Sequence, residues 1–541
     1  MSIIRKLALG YLAFLVVGWF AIFLWVRLPA PAPPTTERPI DADTFVSVYV
    51  EGRSVARSRG SILHVPPDLA PVARLKIDRI TERGPVFWRS PFLFAFGVVP
   101  GVDGLILHYG DKEIWFLPDD LVAAEVLTGL APFAFMEFEF GVDVPLLTRI
   151  AASRVGATRE AWTQTPKRWE RFRTEAFIET APQSGKFIPA FRANVAGPKV
   201  TRENMRAAAI AGGHYLLDKL RGDGSFVYEY QTFTDRGSSW DYSLPRHFGA
   251  AMYLAQLARY TKDPAFADGA RRAFAYFEPH ANEVFQSTGS AALATLALTE
   301  YRLSGDARYD DTLRRLGEFL LSMQRPGGDF SHDIHDREVK LLYFDGEAAF
   351  AMVRLAAAFG DEKYKTSAKR ALDWLTKDAY GHFAGGFYFG EDHWTCMAAE
   401  AAYPMIDSAQ YERFCNHYAA FLRRTQFAPG EGPPDFNGAY GFTPFFPPHS
   451  TPAASRTEAM VSSYLLSKRR GHPVEATRVQ NVRAFGYLLA QQIRAENSWL
   501  MAKPEHAIGG WMQSPLRRFV RIDFVQHAGD ALLRGEELVP P

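Results

Sequence analysis

The segment Gly346–Phe359, GEAAFAMVRLAAAF, and the segment Glu362–Thr376, EKYKTSAKRALDWLT, which follows it after Gly360-Asp361, decide the fold. The first is rich in alanine and apolar around nearly its whole circumference, which is typical of a helix buried on both sides. The second places apolar residues at helical spacing among lysines and acids, which is typical of a helix with one solvated face. The sequence therefore predicts a helical hairpin with an inner and an outer member.

The same pair of segments recurs between about residues 201 and 534, and such a repeat determines the architecture. The amphipathic outer segments are Arg202–Leu220, Pro264–Phe277, Ala307–Met323, Glu362–Thr376, Ala409–Arg424 and Pro473–Ile493. The inner segments are Leu244–Tyr260, Gly289–Leu303, Gly346–Phe359, Trp394–Met405, Thr457–Lys468 and Asp523–Leu533. We expect residues 200–535 to form an α/α toroid of six helical hairpins, with short turns at one rim and long loops at the other.

This region resembles the six-hairpin toroids of glycan-processing enzymes. The resemblance rests on the architecture and on recurring glycine-rich aromatic loops such as Gly327–Phe330, GGDF. It implies that the toroid is a glycoside hydrolase, a uronate lyase or a sugar epimerase, with a polysaccharide or oligosaccharide as its partner.

The N-terminal segment is the most apolar part of the chain. Leu7–Val26 carries no charge over about the length that crosses a bilayer, and Arg5 and Lys6 before it place the N-terminus in the cytoplasm. We expect residues 1–27 to be a transmembrane signal anchor in the inner (cytoplasmic) membrane, in contact with lipid through residues 7–26. A cleaved signal peptide is the alternative, although its apolar region is usually only about 7–15 residues long. Residues 28–40 are a Pro-rich linker, so the C-terminal body would be periplasmic or extracellular.

Residues 41–180 have a different pattern. Short apolar runs such as Phe45–Val50 alternate with turn residues, which predicts a small α+β domain. This segment resembles the AMME-syndrome candidate-region protein family through Arg74–Thr81, Pro100–Leu107 and Trp115–Pro118, and it has Ser61 where that family has a cysteine. The resemblance implies a structural or binding role, and we expect this domain to contact an envelope protein partner.

Composition excludes several classes of function. With 61 lysines and arginines against 60 acidic residues, the net charge of +1 does not provide the basic surface that nucleic acid requires, so we expect no nucleic-acid partner. The two cysteines, Cys396 and Cys415, cannot supply a four-cysteine zinc site or an iron–sulfur cluster. Helical counting places them at different heights on neighbouring helices, so we expect two buried thiols. No phosphate-binding loop or dinucleotide fingerprint is present, and we expect no cofactor and no metal ion.

The candidate site lies where the inner helices begin, because these ends meet at the rim with the long loops. The residues there are more polar and aromatic than buried first turns need, and they suit a sugar pocket: aromatic faces stack on pyranose rings and arginine forks bind carboxylates. The candidate catalytic residues are Tyr242, His247, Asp345, Asp392, His393 and Glu458. The candidate substrate-binding residues are Arg246, Glu347, Trp394, Arg456, Arg521, Asp523, Gln526 and His527. Helix capping is the alternative role for Asp345 and Asp392.

We interpret the chain as a membrane-anchored protein that cleaves or modifies a polysaccharide outside the cytoplasm. Hydrolysis requires two carboxyl groups flanking the scissile bond. Lysis or epimerisation at C5 of a uronate instead requires a base, with an arginine or amide to stabilise the enolate. The sequence leaves both reactions open. The alternative function is a non-catalytic glycan-binding or assembly subunit of a cell-envelope polysaccharide system.

Overall fold

The computed structural model describes residues 40–126, 141–335, 342–380, 392–441 and 446–540, together with positions 10, 11 and 13. Apart from those three positions and Ile40, the predicted anchor at 7–26 and the Pro-rich linker at 28–40 lie outside the described residues. Among the residues that are described, no helix has both the length and the apolar character needed to cross a membrane.

The first unit is built on an antiparallel sheet. Its strands are β1 (Thr44–Val50), β2 (Arg53–Arg59), β3 (Arg74–Pro85), β4 (Asp103–Tyr109), β5 (Lys112–Phe116), β6 (Lys167–Glu179), β7 (Phe187–Phe191) and β8 (Asn194–Val195). They follow the order β2-β1-β3-β6-β4-β5, with β7 paired to β6 and β8 to β7. The accompanying helices are Pro91–Phe96, Pro118–Ala123, Val144–Val155 and Arg159–Gln164. The unit is therefore α+β, and its sheet continues to Val195, past the predicted boundary at residue 180.

Alternation along β4 shows how the two faces of this sheet are used. Leu105 and Leu107 are fully buried and join a core with Phe94 and Trp169, which covers the face that carries the helices. Ile106 lies between them in sequence and belongs to a separate apolar cluster. Because side chains alternate along a strand, this pattern requires a sheet that is covered on both faces.

The second unit is a ring of helical hairpins. Its inner helices are Leu244–Thr261, Thr288–Arg302, Leu342–Phe359, Trp394–Ala402, Ser450–Arg469 and Ile522–Gly535. Its outer helices are Arg202–Lys219, Pro264–Phe274, Asp310–Met323, Glu362–Lys377, Ala409–Arg423 and Glu475–Gln491, and a short helix, Ala281–Val284, lies in one connection. Each inner helix contacts the next, and the last contacts the first, so the ring is closed. This arrangement confirms the predicted toroid.

Small residues allow the inner helices to approach closely. At Gly529 a Cβ atom would lie 2.1 Å from the hydroxyl oxygen of Tyr253 on the adjacent inner helix. The Tyr253 hydroxyl donates a hydrogen bond to the carbonyl oxygen of Ala209, 2.6 Å away on an outer helix. One glycine therefore lets a buried tyrosine link an inner helix to the outer layer.

The fifth inner helix begins at Ser450, earlier than the predicted start at Thr457. The backbone N–H of Ser450 donates to the Gln513 carbonyl oxygen at 2.6 Å, and its hydroxyl donates to the Met512 carbonyl oxygen at 2.6 Å. Pro452 is compatible with this start because the first helical turn does not need its N–H. As a result, Glu458 lies two turns inside the helix and not at its first turn.

The prediction of two separate thiols is wrong, because Cys396 and Cys415 form a disulfide with a Cα–Cα distance of 5.7 Å. The reason is the length of the inner helix, which ends at Ala402 and not at Met405. Cys396 is six residues before that end, and Cys415 is six residues after the start of the outer helix at Ala409. The two residues therefore lie at the same height.

The α+β unit packs on the toroid through the loop that precedes the last inner helix. The ring of Trp499 in this loop contacts the ring of Tyr49, with centroids 4.9 Å apart. The fully buried guanidinium of Arg518 donates to the Arg192 carbonyl oxygen at 2.7 Å. The same loop ends in β11 (Val520–Arg521), which pairs with β9 (Glu229–Gln231), itself paired with β10 (Arg236–Ser238). The first unit thus supports a loop that leads directly to the rim of the ring.

Candidate active site

A cavity of about 460 Å³ opens at the rim where the inner helices begin. All of the inner helices or the residues just before them contribute to its wall. The predicted residues on the wall are Tyr242, Arg246, Glu347, His393, Trp394, Asp523, Gln526 and His527, and the remaining lining residues are Asp241, Ser243, Pro245, Leu293, Phe344, Thr451 and Ser455. A concave site with aromatic walls and a few converging polar groups is typical of a small-molecule pocket.

Two histidine rings pack against each other on this wall, and a buried carboxyl group lies beside them. The rings of His393 and His527 are 5.1 Å apart between centroids and lie nearly perpendicular. The Nδ1 atom of His527 is 2.7 Å from Oε2 of Glu458, and Nε2 of His393 is 3.9 Å from the same oxygen. Glu458 itself is fully buried. The arrangement places two imidazoles, the side chain that most often serves as a general acid or base, against one cavity.

A further acidic residue lies behind Glu458. Burial, and secondarily the charge of Asp530, raise the pKa of Glu458 well above its usual range, and the two carboxyl groups share a hydrogen bond. Burial and the neighbouring acid therefore favour the uncharged form of Glu458. Nδ1 of His527 lies 2.7 Å from Oε2 of Glu458 and 3.3 Å from Nε2 of Gln526, so these two side chains fix the orientation of the imidazole ring.

The chain of buried polar groups continues to the other end of the ring. Arg534 lies 3.6 Å from Asp530 and donates to Glu400 at 2.9 Å and to the Ser462 hydroxyl at 2.7 Å. Asp530 and Arg534 are not among the residues predicted for the site. The sequence feature that could have identified them is their spacing from His527. Positions 527, 530 and 534 fall on one face of a helix whose residues are almost all buried.

The donor atoms of His393, Glu458 and His527 lie within 4.8 Å of one another, and in the described part of the chain this is the group that could hold a metal ion. Two ligands of a tetrahedral zinc ion are about 3.3 Å apart, given bond lengths of roughly 2.0–2.1 Å. The 2.7 Å between His527 and Glu458 is instead the length of a hydrogen bond. The observed geometry fits a proton-sharing pair better than a pair of metal ligands.

Glu347 and Trp394 form a second part of the wall. Burial raises the pKa of the Glu347 carboxyl well above its usual range, and a hydrogen bond with the Trp394 side chain opposes this only in part. The absence of a side chain at Gly289 makes room for it, since a Cβ there would lie 3.0 Å from Oε2 of Glu347. A neutral carboxyl and an oriented indole ring therefore lie side by side in the cavity.

The opposite part of the wall is charged. Arg521 holds Asp523 with two hydrogen bonds of 2.6 and 3.0 Å, and this charge keeps the pKa of the Asp523 carboxyl below its usual value despite complete burial. Arg246 also faces Asp523, at 3.6 Å, and donates to the hydroxyl of Tyr228 at 2.6 Å. Arg521 acts from behind the wall and does not line the cavity.

Tyr242, on the cavity wall, is hydrogen-bonded to His247, which lies off the wall. The Tyr242 hydroxyl accepts from the Phe226 N–H at 3.0 Å and donates to Nδ1 of His247 at 2.7 Å. Nε2 of His247 donates to the Ala273 carbonyl oxygen at 3.1 Å, and burial lowers the pKa of this imidazole to about 4. His247 is therefore neutral. It joins the loop that carries Phe226 and Tyr242 to the outer helix that carries Ala273.

Asp345, Asp392 and Arg456 are buried but do not line the cavity. Oδ1 of Asp345 accepts from the Phe330 N–H at 2.5 Å. Asp392 accepts from the hydroxyls of Tyr380 and Thr395, at 2.7 and 2.8 Å. Asp392 also accepts from the Thr395 backbone at the start of the next helix, as the capping alternative predicts, whereas Asp345 lies inside its helix and holds a loop N–H instead.

Comparisons with known proteins give a similarity of structure alone. No protein-family model matches the chain, and no curated protein sequence matches it. The structure is similar to the α-1,6-mannanase of Salegentibacter sp. HEL1_6 (12% identity, 62% of this chain and 100% of the other, TM-score 0.47), to a D-mannose isomerase (13%, 62% and 98%, 0.48) and to the cellobiose 2-epimerase of Bacillus thermoamylovorans B4167 (12%, 59% and 95%, 0.47). At these identities, and with TM-scores below 0.5, the similarities carry no substrate or reaction over to this chain.

Proposed function

We propose that the cavity is the active site of a carbohydrate-modifying enzyme that moves a proton at a sugar carbon, as an epimerase, isomerase or lyase does. The observation that carries this proposal is the pair of imidazoles, His393 and His527, with ring centroids 5.1 Å apart on one cavity wall. One imidazole takes a proton from the sugar and the other supplies one, and each transfer of this kind contributes about 10²–10⁴-fold to a rate.

The groups around the pair have separate tasks in this reaction. Glu458 orients His527 through a contact of 2.7 Å with Nδ1, and the nearby charge of Asp530 favours the uncharged form of Glu458. Trp394 adds an aromatic edge to the wall beside His393, with the two ring centroids 4.5 Å apart. Gln526, Thr451 and Ser455 supply amide and hydroxyl groups for sugar hydroxyls.

Hydrolysis is the second candidate, because the wall carries one neutral carboxyl, Glu347, and one ionised carboxyl, Asp523. A hydrolase needs such a pair as acid and base or acid and nucleophile. Asp523, however, is bound by both arms of the Arg521 guanidinium, which makes it a weak base and a weak nucleophile. We therefore favour proton transfer through the histidines.

The cellular location belongs to the same proposal. We propose that residues 7–26 anchor the protein in the inner membrane and that the body lies on its outer side. The Cys396–Cys415 disulfide supports this placement, since disulfides persist in oxidising compartments. Because the α+β unit packs on the toroid, we assign it a supporting role at the rim, and the contact with an envelope protein stays a prediction.

Exchange of solvent deuterium into sugars tests the reaction class. The full-length protein in detergent is incubated in D₂O with neutral and uronate-containing oligosaccharides, and NMR reads deuterium at the sugar carbons, while absorbance detects unsaturated uronates. We expect incorporation with at least one sugar class, reduced at least 100-fold in His527→Gln and in His393→Gln. His506→Gln is the matched control, because His506 is half exposed and lies outside the cavity.

Other outcomes would refute the proposal. New reducing ends without deuterium at carbon or unsaturated product would identify a hydrolase. Binding without any chemical change would identify a glycan-binding protein. Metal analysis of the purified protein accompanies the assay, because a stoichiometric ion that is lost in His527→Gln would mean that the three donors bind a metal.

A further inference from the structure

The charge on the cavity wall indicates the kind of sugar that it accepts. Asp523 is the buried ionised carboxyl of the wall, and Arg521 already neutralises it from behind with two short hydrogen bonds. Arg246 lies farther from the same carboxylate, at 3.6 Å. Arg521, which also lies 3.8 Å from Glu229, is thus the closer partner of Asp523, and Arg246 is a second and more distant one.

Arg246 is also held ready for a ligand. Its Nη1 atom donates to the Tyr228 hydroxyl at 2.6 Å, which fixes the guanidinium against the first long loop. Its side chain is 40% exposed, although it begins a helix whose later residues are buried, and the exposed part lines the cavity. A guanidinium with free N–H groups and a fixed plane binds a carboxylate through two parallel hydrogen bonds.

The acids of the wall do not cancel this charge. The Glu347 carboxyl is buried beside the Trp394 indole, and burial raises its pKa well above the usual range, which favours its uncharged form. Asp241 is exposed at the rim, where water screens its charge. Glu458 lies behind the wall, where burial raises its pKa in the same direction. An anionic group entering the cavity therefore meets Arg246 and no unpaired buried carboxylate.

We infer that the cavity selects an acidic sugar, a uronate residue of a glycan, whose carboxylate is bound by Arg246 beside Asp523. The site is also placed for the chemistry, since Asp523 and His527 are close enough to interact electrostatically. The hydrogen on the carbon that carries a carboxylate is the acidic one, so this position brings it toward the imidazole base. The reaction at that carbon rests on the proposed function, whereas the preference for an acidic sugar does not.

Binding to matched sugars tests the inference. Calorimetry with the full-length protein compares oligosaccharides of glucuronate, galacturonate and mannuronate with the same oligosaccharides after their carboxyl groups are reduced to alcohols. We expect at least one acidic form to bind tenfold or more tightly than its reduced form, with an affinity that falls as salt is added. Arg246→Gln should lose this tenfold preference, and Arg246→Lys should keep part of it.

The matched control is Arg236→Gln, because Arg236 is an exposed arginine of the β10 strand outside the cavity wall. Unfolding temperatures confirm that each variant is folded. Equal affinity for acidic and reduced sugars, absence of binding to any of them, or a preference that survives in folded Arg246→Gln would each overturn the inference.

The same set of variants separates this inference from the proposed reaction. His527→Gln should keep the acidic preference while losing deuterium exchange. Preferential binding without exchange in the wild type would refute the reaction and leave the inference standing. Deuterium exchange on neutral sugars, with no preference for acidic ones, would support the proposed reaction and refute the inference that the cavity selects a uronate.

Discussion

Replacing Asp345 by asparagine separates a role in packing from a role in catalysis. The carboxyl is almost fully buried, and its Oδ1 atom accepts from the Phe330 N–H at 2.5 Å. Burial is the main cause that raises the pKa of Asp345 from 3.8 to about 8, and the nearby charges of Asp329 and Asp392 add to it. An asparagine oxygen accepts the same hydrogen bond and carries no proton that depends on pH.

The size of the effect follows from proton binding. The folded protein binds this proton more tightly than the unfolded chain, so the contribution of Asp345 to stability falls as pH rises from about 4 to 8. One pH unit corresponds to about 1.4 kcal/mol, so at pH 7 the cost of keeping the proton is at most about 4 kcal/mol. At pH 4 it is below about 1 kcal/mol. Asp345→Asn should therefore be more stable than the wild type at pH 7 and nearly equal to it at pH 4.

Urea unfolding of both proteins at pH 4, 5.5, 7 and 8.5, followed by tryptophan fluorescence, measures this difference. Asp111→Asn, in an exposed turn, is the control and should change stability by less than about 0.5 kcal/mol at every pH. Deuterium exchange should persist in Asp345→Asn, because Asp345 does not line the cavity. A difference that does not depend on pH, or a variant that is less stable at pH 7, would show that the carboxyl is ionised in the folded state.

Three further variants test the packing of the toroid and its contact with the α+β unit. Cys396→Ala together with Cys415→Ala opens a loop of 19 residues and should lower stability by about 3 kcal/mol; the midpoint of urea unfolding checks this, and an unchanged midpoint would mean that the bridge does not form. Gly529→Ala forces a Cβ against the Tyr253 hydroxyl and should cost about 1–3 kcal/mol, so a melting temperature equal to that of the wild type would contradict the close approach of the helices. Trp499→Ala removes a buried ring between the two units and should cost about 3–5 kcal/mol; limited proteolysis should then cut between the units first, and cleavage inside the toroid before that would argue against the interface.

The toroid could be predicted because its signal is repeated. Alanine-rich segments such as Gly346–Phe359 alternate with amphipathic segments such as Glu362–Thr376, and each repeat reports on burial independently of the others. An error of a few residues at one boundary, as at Ser450, leaves the order of the helices unchanged. The location of the site at the rim with the long loops was therefore also predictable, since it depends on the order of the helices and not on the residues at which they begin and end.

Which side chains point into the cavity depends on where each helix begins and ends. Successive residues of a helix point about 100° apart, so Phe344 and Glu347 reach the cavity while Asp345 between them does not. The sequence alone does not determine this rotation at the start of a helix. The same uncertainty hid the disulfide, since ending one helix at Ala402 was enough to bring Cys396 level with Cys415. Long-range partners such as Asp530 and Glu458 also carry no local signal.

The closed ring has a consequence for the order in which the molecule can be made. Its seam joins Leu244–Thr261 to Ile522–Gly535, and a ribosome completes these two helices far apart in time. Until the second one emerges, the first inner helix lacks a neighbour on one side, and the wall that holds Asp523, Gln526 and His527 does not exist. We therefore expect the toroid to close only after synthesis of its last hairpin, so a nascent chain would be inactive and its exposed inner helices would bind chaperones.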